Sequence, residues 1–192
     1  MLSRIANRNM PELAAKDFSG ITRYFKLLNI AYMGIRKLHT DQRGVAKIDS
    51  GIKAGTILYV PDDQAFIVSF LTIDYYKGKP IRFDFDLIGC NNTVTISRPV
   101  VTTNSQGRVI GQTPQVIHTD VPVKVGTVLQ RIVSELDDTY SQFGMLISSD
   151  FAIKKGDMLT FSKHYEPAKI EGIKFNYDGI YEVVFDEEPR WI

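Results

Sequence analysis

Few side chains in this 192-residue chain carry reactive chemistry, and their spacing limits what that chemistry can be. The three histidines, His39, His118 and His164, lie far apart, and neither a CxxC nor an HExxH spacing occurs. Zinc needs three or four N, S or O ligands converging on one point, so no metal is expected. The single cysteine, Cys90, sits between Gly89 and Asn91-Asn92. A nucleophilic thiol needs a base or a helix N-terminus to pull its pKa below about 8.5, and nothing local supplies one. One cysteine also means no internal disulfide, which favours a cytosolic origin. Asp84 and Asp86 have the residue type and proximity of a general acid/base pair. On an alternating strand, however, they fall on the wet face, screened by Arg82. The pairs Asp62-Asp63, Asp137-Asp138 and Glu187-Glu188 read as solvated turns or ends. GxGxxG, GxxxxGK and GxSxG are absent, which removes the common nucleotide and hydrolase chemistries. Arg23-Tyr24-Phe25-Lys26 interleaves aromatic and basic side chains in a way that can stack nucleobases. A core-facing aromatic pair between surface charges accounts for it as well. The expectation is a protein without enzymatic activity and without a cofactor.

Composition bounds the elements that would position these residues. At 44% hydrophobic and 23% charged, the chain supports a packed core. No apolar run reaches the roughly 20 residues that cross a bilayer, so no membrane partner is expected. MLSRIANR lacks the apolar core of a secretory signal. The net charge of +1 hides an asymmetry: residues 1–53 hold ten Lys/Arg against four acids, and the remainder holds 13 against 18. A basic end of this kind is scattered surface charge, a surface for an acidic partner or for the chain's own acidic remainder, or a DNA contact.

Met10-Pro11-Glu12-Leu13-Ala14-Ala15-Lys16 has the pattern of a short helix with proline at its first position, closed by Gly20. From Ile21 to Leu38, the residues Ile21, Tyr24, Phe25, Leu28, Tyr32 and Ile35 recur at helical spacing, with Ser19 as cap. The many aromatics there leave a strand open as the alternative. Strands follow at 56–60, at 65–76 and from Ile81 to Leu87, the last two joined as a hairpin by Lys77-Gly78-Lys79-Pro80. Residues 126–142 fit either a short helix or irregular crossover, or a continuation of the sheet. Lys155-Gly156-Asp157 turns into the strand Met158–Phe161, and Asp178-Gly179 joins two alternating strands near the C-terminus. No repeat of 20–50 residues is visible.

The longest feature is the run 93–125. Val94 and Ile96 alternate with Thr95 and Ser97, and Val121, Val123 and Val125 alternate with Pro122 and Lys124. Between them, Asn104-Ser105-Gln106-Gly107 is a turn cluster in which Gly107 can take a positive φ. Two long strands with a polar tip form a ribbon suited to reaching or threading. The expected fold is mainly β: a small barrel or sandwich with a projecting ribbon, and an N-terminal helical, basic extension. The domains would be 1–55 for the extension and 56–192 for the barrel-like part, with the ribbon at 93–125.

Several pieces of the second half resemble the small β-barrel head–tail connectors of tailed bacteriophages, the stopper or head-closure proteins. They are Val94-Thr95-Ile96-Ser97-Arg98-Pro99, the tip Asn104-Ser105-Gln106-Gly107, Val121-Pro122-Val123-Lys124-Val125, Lys155-Gly156-Asp157-Met158-Leu159 and Gly179-Ile180-Tyr181-Glu182-Val183. The resemblance covers about half the chain, from Thr93 to Phe185. It implies a homo-oligomeric ring in the virion neck, assembled in the host cytoplasm between a portal or adaptor protein and a tail terminator. Packaged double-stranded DNA would occupy its channel. It places Asn104, Ser105, Gln106, Gly107 and Arg108 in that channel as a plug, and gives Gly156, Asp157, Asp178 and Gly179 the role of structural turns. With Arg108 as its only charge, the segment 102–113 suits a plug better than a DNA clamp, which needs several cations. Another phage tail-completion or baseplate part, or a β-sandwich that binds sugar or peptide, is the alternative.

Overall fold

Alternation of buried and half-buried side chains, with a period of two, marks strands of this chain such as the stretch from Asn92 to Ser97. The computed structural model describes residues 12–28, 42–60, 64–129, 141–177 and 179–185. Twelve strands run through these residues: β1 (Leu13–Asp17), β2 (Thr22–Leu28), β3 (Gln42–Lys47), β4 (Ile57–Val60), β5 (Gln64–Tyr76), β6 (Lys79–Gly89), β7 (Asn92–Thr103), β8 (Val109–Leu129), β9 (Ser141–Ser148), β10 (Met158–Phe161), β11 (Ala168–Tyr177) and β12 (Ile180–Phe185). Among the described residues the only helical turn is a 3-10 turn at Ile48–Ser50. The strands close into two separate six-stranded barrels, β1-β2-β3-β6-β5-β4 and β10-β11-β12-β9-β8-β7. Counted from one to six within each barrel, both have the cyclic order one-two-three-six-five-four. Closure leaves no sheet edge along the barrel walls. The chain accordingly divides into two compact units, the first barrel with residues 148–150 and 177–180, and the rest of the second.

The mainly β expectation holds, and two corrections follow. Where the expected N-terminal helices fall on described residues, those residues form strands. Leu13–Asp17 and Thr22–Leu28 pair antiparallel, with Ala14 opposite Tyr24 and Lys16 opposite Thr22. Apolar spacing alone suggested a helix, but Phe25 points into the core while Ile21 and Tyr24 are exposed. A helix would have needed all three on one side. The turn between these strands is built by Asp17, whose Oδ1 accepts from the Ser19 and Ile21 N–H groups while Oδ2 accepts from Arg23 Nε. Gly20, at φ 80°, belongs to this turn and ends no helix. Met10, Pro11 and residues 29–38 lie outside the described residues. The second correction concerns number: there are two barrels where one was expected.

The first core gathers Ala15, Phe25, Ala46, Ile52, Leu58, Phe66, Val68, Phe85 and Leu87. Phe25 and Phe85 lie with ring centroids 6.0 Å apart, tilted by 58°. Gly44, opposite Phe85 across β3 and β6, has no Cβ because the Phe85 ring fills that space. In the second unit Val94, Ile96, Val121, Val123, Met145, Ile147, Leu159, Ile170 and Val183 are buried. Phe161 meets Phe185 edge-on at 5.8 Å. For the ambiguous stretch 126–142, β8 continues to Leu129 and β9 begins at Ser141, so its described ends extend the sheet.

Candidate functional site

β7 and β8 leave the second barrel together. β10 pairs with β7 only from Val94 to Ser97, and β9 pairs with β8 only from Lys124 to Leu129. β7 and β8 pair with each other much further out, to Thr103 opposite Val109. From Arg98 outward the two strands therefore have only one another, and at about 3.3 Å per residue the ribbon extends roughly 20 Å. Both of its faces are in solvent. Val100, Val101, Val109, Ile110 and Val116 are all exposed, Val109 by 67% and Ile110 by 64%. An isolated two-stranded ribbon is marginally stable in water, and exposed apolar side chains on it are unusual without a partner.

Where the ribbon departs, its path is set by irregularities. Val94 opposes Val121, Ile96 opposes His118, and Ser97 opposes Val116, so β8 carries an extra residue at two successive steps. Asp120 adopts φ 53° at the first of these bulges. Bulges bend and twist a strand pair, here turning it away from the barrel wall. Pro99 and Pro114 then face each other, removing two ladder donors at the root. Arg98 ties this root to the β10 turn: its Nε donates to Asp157 Oδ1 and one Nη donates to Asp157 Oδ2, both at 2.8 Å. The same Nη also donates to the Ala152 carbonyl at 2.8 Å. Bidentate guanidinium–carboxylate pairs are the most directional of the charged contacts.

The tip is organised by Asn104. Its Oδ1 accepts from the Gln106 N–H at 3.0 Å and the Arg108 N–H at 2.9 Å. Its backbone bonds Arg108 and Gly107, and Gly107 adopts φ 74°. Thr102 and Thr113 share a hydroxyl contact across the strands at 3.2 Å. Asn104, Ser105, Gln106, Gly107 and Arg108 thus form one polar, ordered turn with a single cation.

The remaining sequence candidates scatter. His118 is half-buried in β8 against the edge of Phe151, with ring centroids 5.1 Å apart, and His164 lies exposed at φ 67°. His39, Asp62-Asp63, Asp137-Asp138 and Glu187-Glu188 lie outside the described residues. Among those described, no three His, Cys, Asp or Glu side chains group as metal ligands. No helix among them is long and apolar enough to cross a membrane. Cys90 is half-buried, with its N–H on the Ala65 carbonyl. Asp86 is not on a wet face: it is buried, 3.7 Å from Arg43 Nε on neighbouring β3. Asp84 pairs with Arg82 at 3.0 Å, and Arg82 also reaches Asp74 at 3.0 Å. The aromatic–basic run splits as well, with Phe25 in the core, Tyr24 outside and Arg23 on Asp17.

Of the turn residues, Gly156 adopts φ 90° and Gly179 φ 81°, while Asp178 lies outside the described residues. Asp157, 1% exposed, is a turn residue and also the ribbon's anchor. Sequence reasoning gave Arg98 no role. Its signal was a lone arginine interrupting the uncharged face of an alternating strand. Another exposed hairpin belongs to the first unit, where Ile73, Tyr75, Tyr76 and Ile81 surround the Lys77-Gly78 turn. No protein-family model matches this chain, and neither does any curated protein or solved structure.

Proposed function

We propose that this chain is a structural component of a phage neck, forming a homo-oligomeric ring between a portal or adaptor and a tail terminator. In this role the ribbon from each subunit enters the channel and holds packaged DNA after filling. One observation carries the proposal: the ribbon beyond Arg98 has no barrel neighbour on either strand. A gate needs such an element, because it must reach other subunits without dismantling the wall from which it springs. Its polarity suits the task, since the tip has only Arg108 as a charge. Tight phosphate binding would call for several cations, whereas loops that plug by packing on one another do not. A catalytic role has less support, because Asp84 and Asp86, the carboxylates whose spacing suggested acid/base chemistry, serve local ion pairs. The proposed role calls for no catalytic activity, cofactor or metal.

The test is to replace Asn104–Gly111 by a two-residue turn and infect with that allele. Loop closure depends only weakly on length, so the shortened protein should fold and assemble. Purified heads should then package DNA and lose it, read as loss of nuclease-protected DNA. Arg108→Ala should matter much less. Full protection with normal infectivity would rule out the gate.

A further inference from the structure

The two barrels share more than strand order. Asp49, Ile52, Lys53, Gly55 and Leu58 recur as Asp150, Ile153, Lys154, Gly156 and Leu159, each pair 101 positions apart. The backbone around them repeats bond for bond. In the first barrel the Gly55 N–H donates to the Val68 carbonyl at 2.8 Å, the Val68 N–H to Thr56 at 2.9 Å and the Thr56 N–H to Lys53 at 3.1 Å. In the second, the Gly156 N–H donates to Ile170 at 2.8 Å, the Ile170 N–H to Asp157 at 2.9 Å and the Asp157 N–H to Lys154 at 3.1 Å. Gly55 and Gly156 take φ 84° and 90°. Even the side-chain cap repeats: Thr56 Oγ1 accepts from the Lys53 N–H as Asp157 Oδ2 accepts from the Lys154 N–H.

Pairing register extends the equivalence to the ribbon. Leu58 opposes Asp17, and Leu159 opposes Ile96, so β1 corresponds to the root of β7. Ala15 opposes Arg23, and Val94 opposes Val121, so β2 corresponds to the inner part of β8. The turn Phe18–Ile21 therefore stands in the first barrel where the whole ribbon stands in the second. The same scaffold closes without a ribbon, which makes the ribbon an addition to it. What the second barrel has besides the ribbon is an aspartate in place of Thr56, with Arg98 on it. Threonine serves the cap alone, while the carboxylate serves the cap and grips the ribbon root.

We infer that the chain is a tandem duplication of one six-stranded barrel, and that Arg98 and Asp157 are positioning residues acquired with the ribbon to fix its exit from the second copy. The fold does not require the pair; its work is to hold the ribbon's direction against two bulges and an otherwise unsupported ladder. The importance of that direction rests on the proposed gate, but the clamp itself can be tested apart from it.

The test uses spin labels at Ser105→Cys on the tip and Lys169→Cys on β11, in a Cys90→Ser background, with the distance distribution and the melting temperature read together. The parent should give one narrow distance. Asp157→Thr supplies the residue of the first copy, so it should keep the turn and the melting temperature near the parent while the narrow distance is lost. Arg98→Ala should broaden the distribution in the same way, and the two changes together should broaden it no further. Asp157→Ala, which removes cap and clamp, should lower the melting temperature more than Asp157→Thr. A distribution as narrow as the parent's in both Asp157→Thr and Arg98→Ala would overturn the clamp. A loss of folding in Asp157→Thr equal to that in Asp157→Ala would overturn the equivalence of the two turns. Should the gate fail its own test while the tip distance still depends on Arg98 and Asp157, the clamp stands and only the ribbon's task changes.

Discussion

Two buried carboxylates and one amide, Asp17, Asp157 and Asn104, each organise one turn of this protein. Burial pushes the Asp17 carboxyl up, but the hydrogen bond from Ile21, the contact with Arg23 and the bond from Ser19 outweigh it and hold Asp17 below its ordinary value of 3.8. A carboxylate with a depressed pKa adds stability above its unfolded-state value, and that stability fades as pH falls through the folded-state value. Asp17→Asn should therefore cost roughly 1–3 kcal/mol at neutral pH, since the amide cannot accept from three donors and repels Arg23 with its own N–H groups. The deficit relative to the parent should shrink as pH falls below the ordinary value of 3.8, where the unfolded chain takes up the proton first, and close once the folded carboxyl is protonated as well. Urea titrations at pH 7 and pH 3 check this, and a deficit that does not change with pH would contradict it. Asn104 works in the same manner without charge. Asn104→Ala should accelerate amide exchange at Gln106 and Arg108, whose N–H groups it holds, and leave β9–β12 unaffected. NMR exchange rates distinguish this local effect from a global one. Asp157 combines both jobs, and its local neighbours Lys154 and Gly156 disclose only the turn.

At the scale of elements, period-two alternation was readable wherever a strand has one wet face, as in β7 and the inner part of β8. It failed in β1 and β2, where the strands are short and Ile21, Tyr24 and Phe25 mimic helical spacing. It failed again at Asp86, where Arg43 on β3 makes a buried acid tolerable. Turn chemistry was readable because it is local: a positive φ favours glycine irrespective of the rest of the fold. What surrounds such a glycine is not local. Gly78 and Gly179 take φ 74° and 81°, yet a Cβ on Gly78 would meet nothing within 4 Å while one on Gly179 would run into Ala54 C at 2.3 Å. Gly78→Ala should cost only backbone strain, about 1 kcal/mol. Gly179→Val should cost about 3 kcal/mol or more, because the neighbouring backbone must also move. Equal melting temperatures for the two variants would show that crowding at Gly179 is relieved without cost.

For the whole molecule, a far-UV circular dichroism spectrum dominated by strand is expected, and a helical spectrum would contradict the first barrel. Mainly β character, the absence of a recognisable catalytic motif, the ribbon with its polar tip and the glycine turns were all determined by the sequence itself. Each depends on residues within a few positions of one another, where sterics and alternation act directly. The number of barrels was not determined in this way. Closure of the first needs β1 on β4 and β3 on β6, pairings between strands far apart along the chain, and no local window contains both partners. Nor was the duplication visible, because a separation of 101 positions with few identities is longer than the repeat periods that patterning exposes. Only superposed registers and hydrogen bonds reveal it, since selection on a barrel preserves which backbone groups pair more strictly than which side chains cover them. The Arg98–Asp157 clamp is of the same kind, joining a residue of β7 to the turn before β10, two strands that become neighbours only when the second barrel closes.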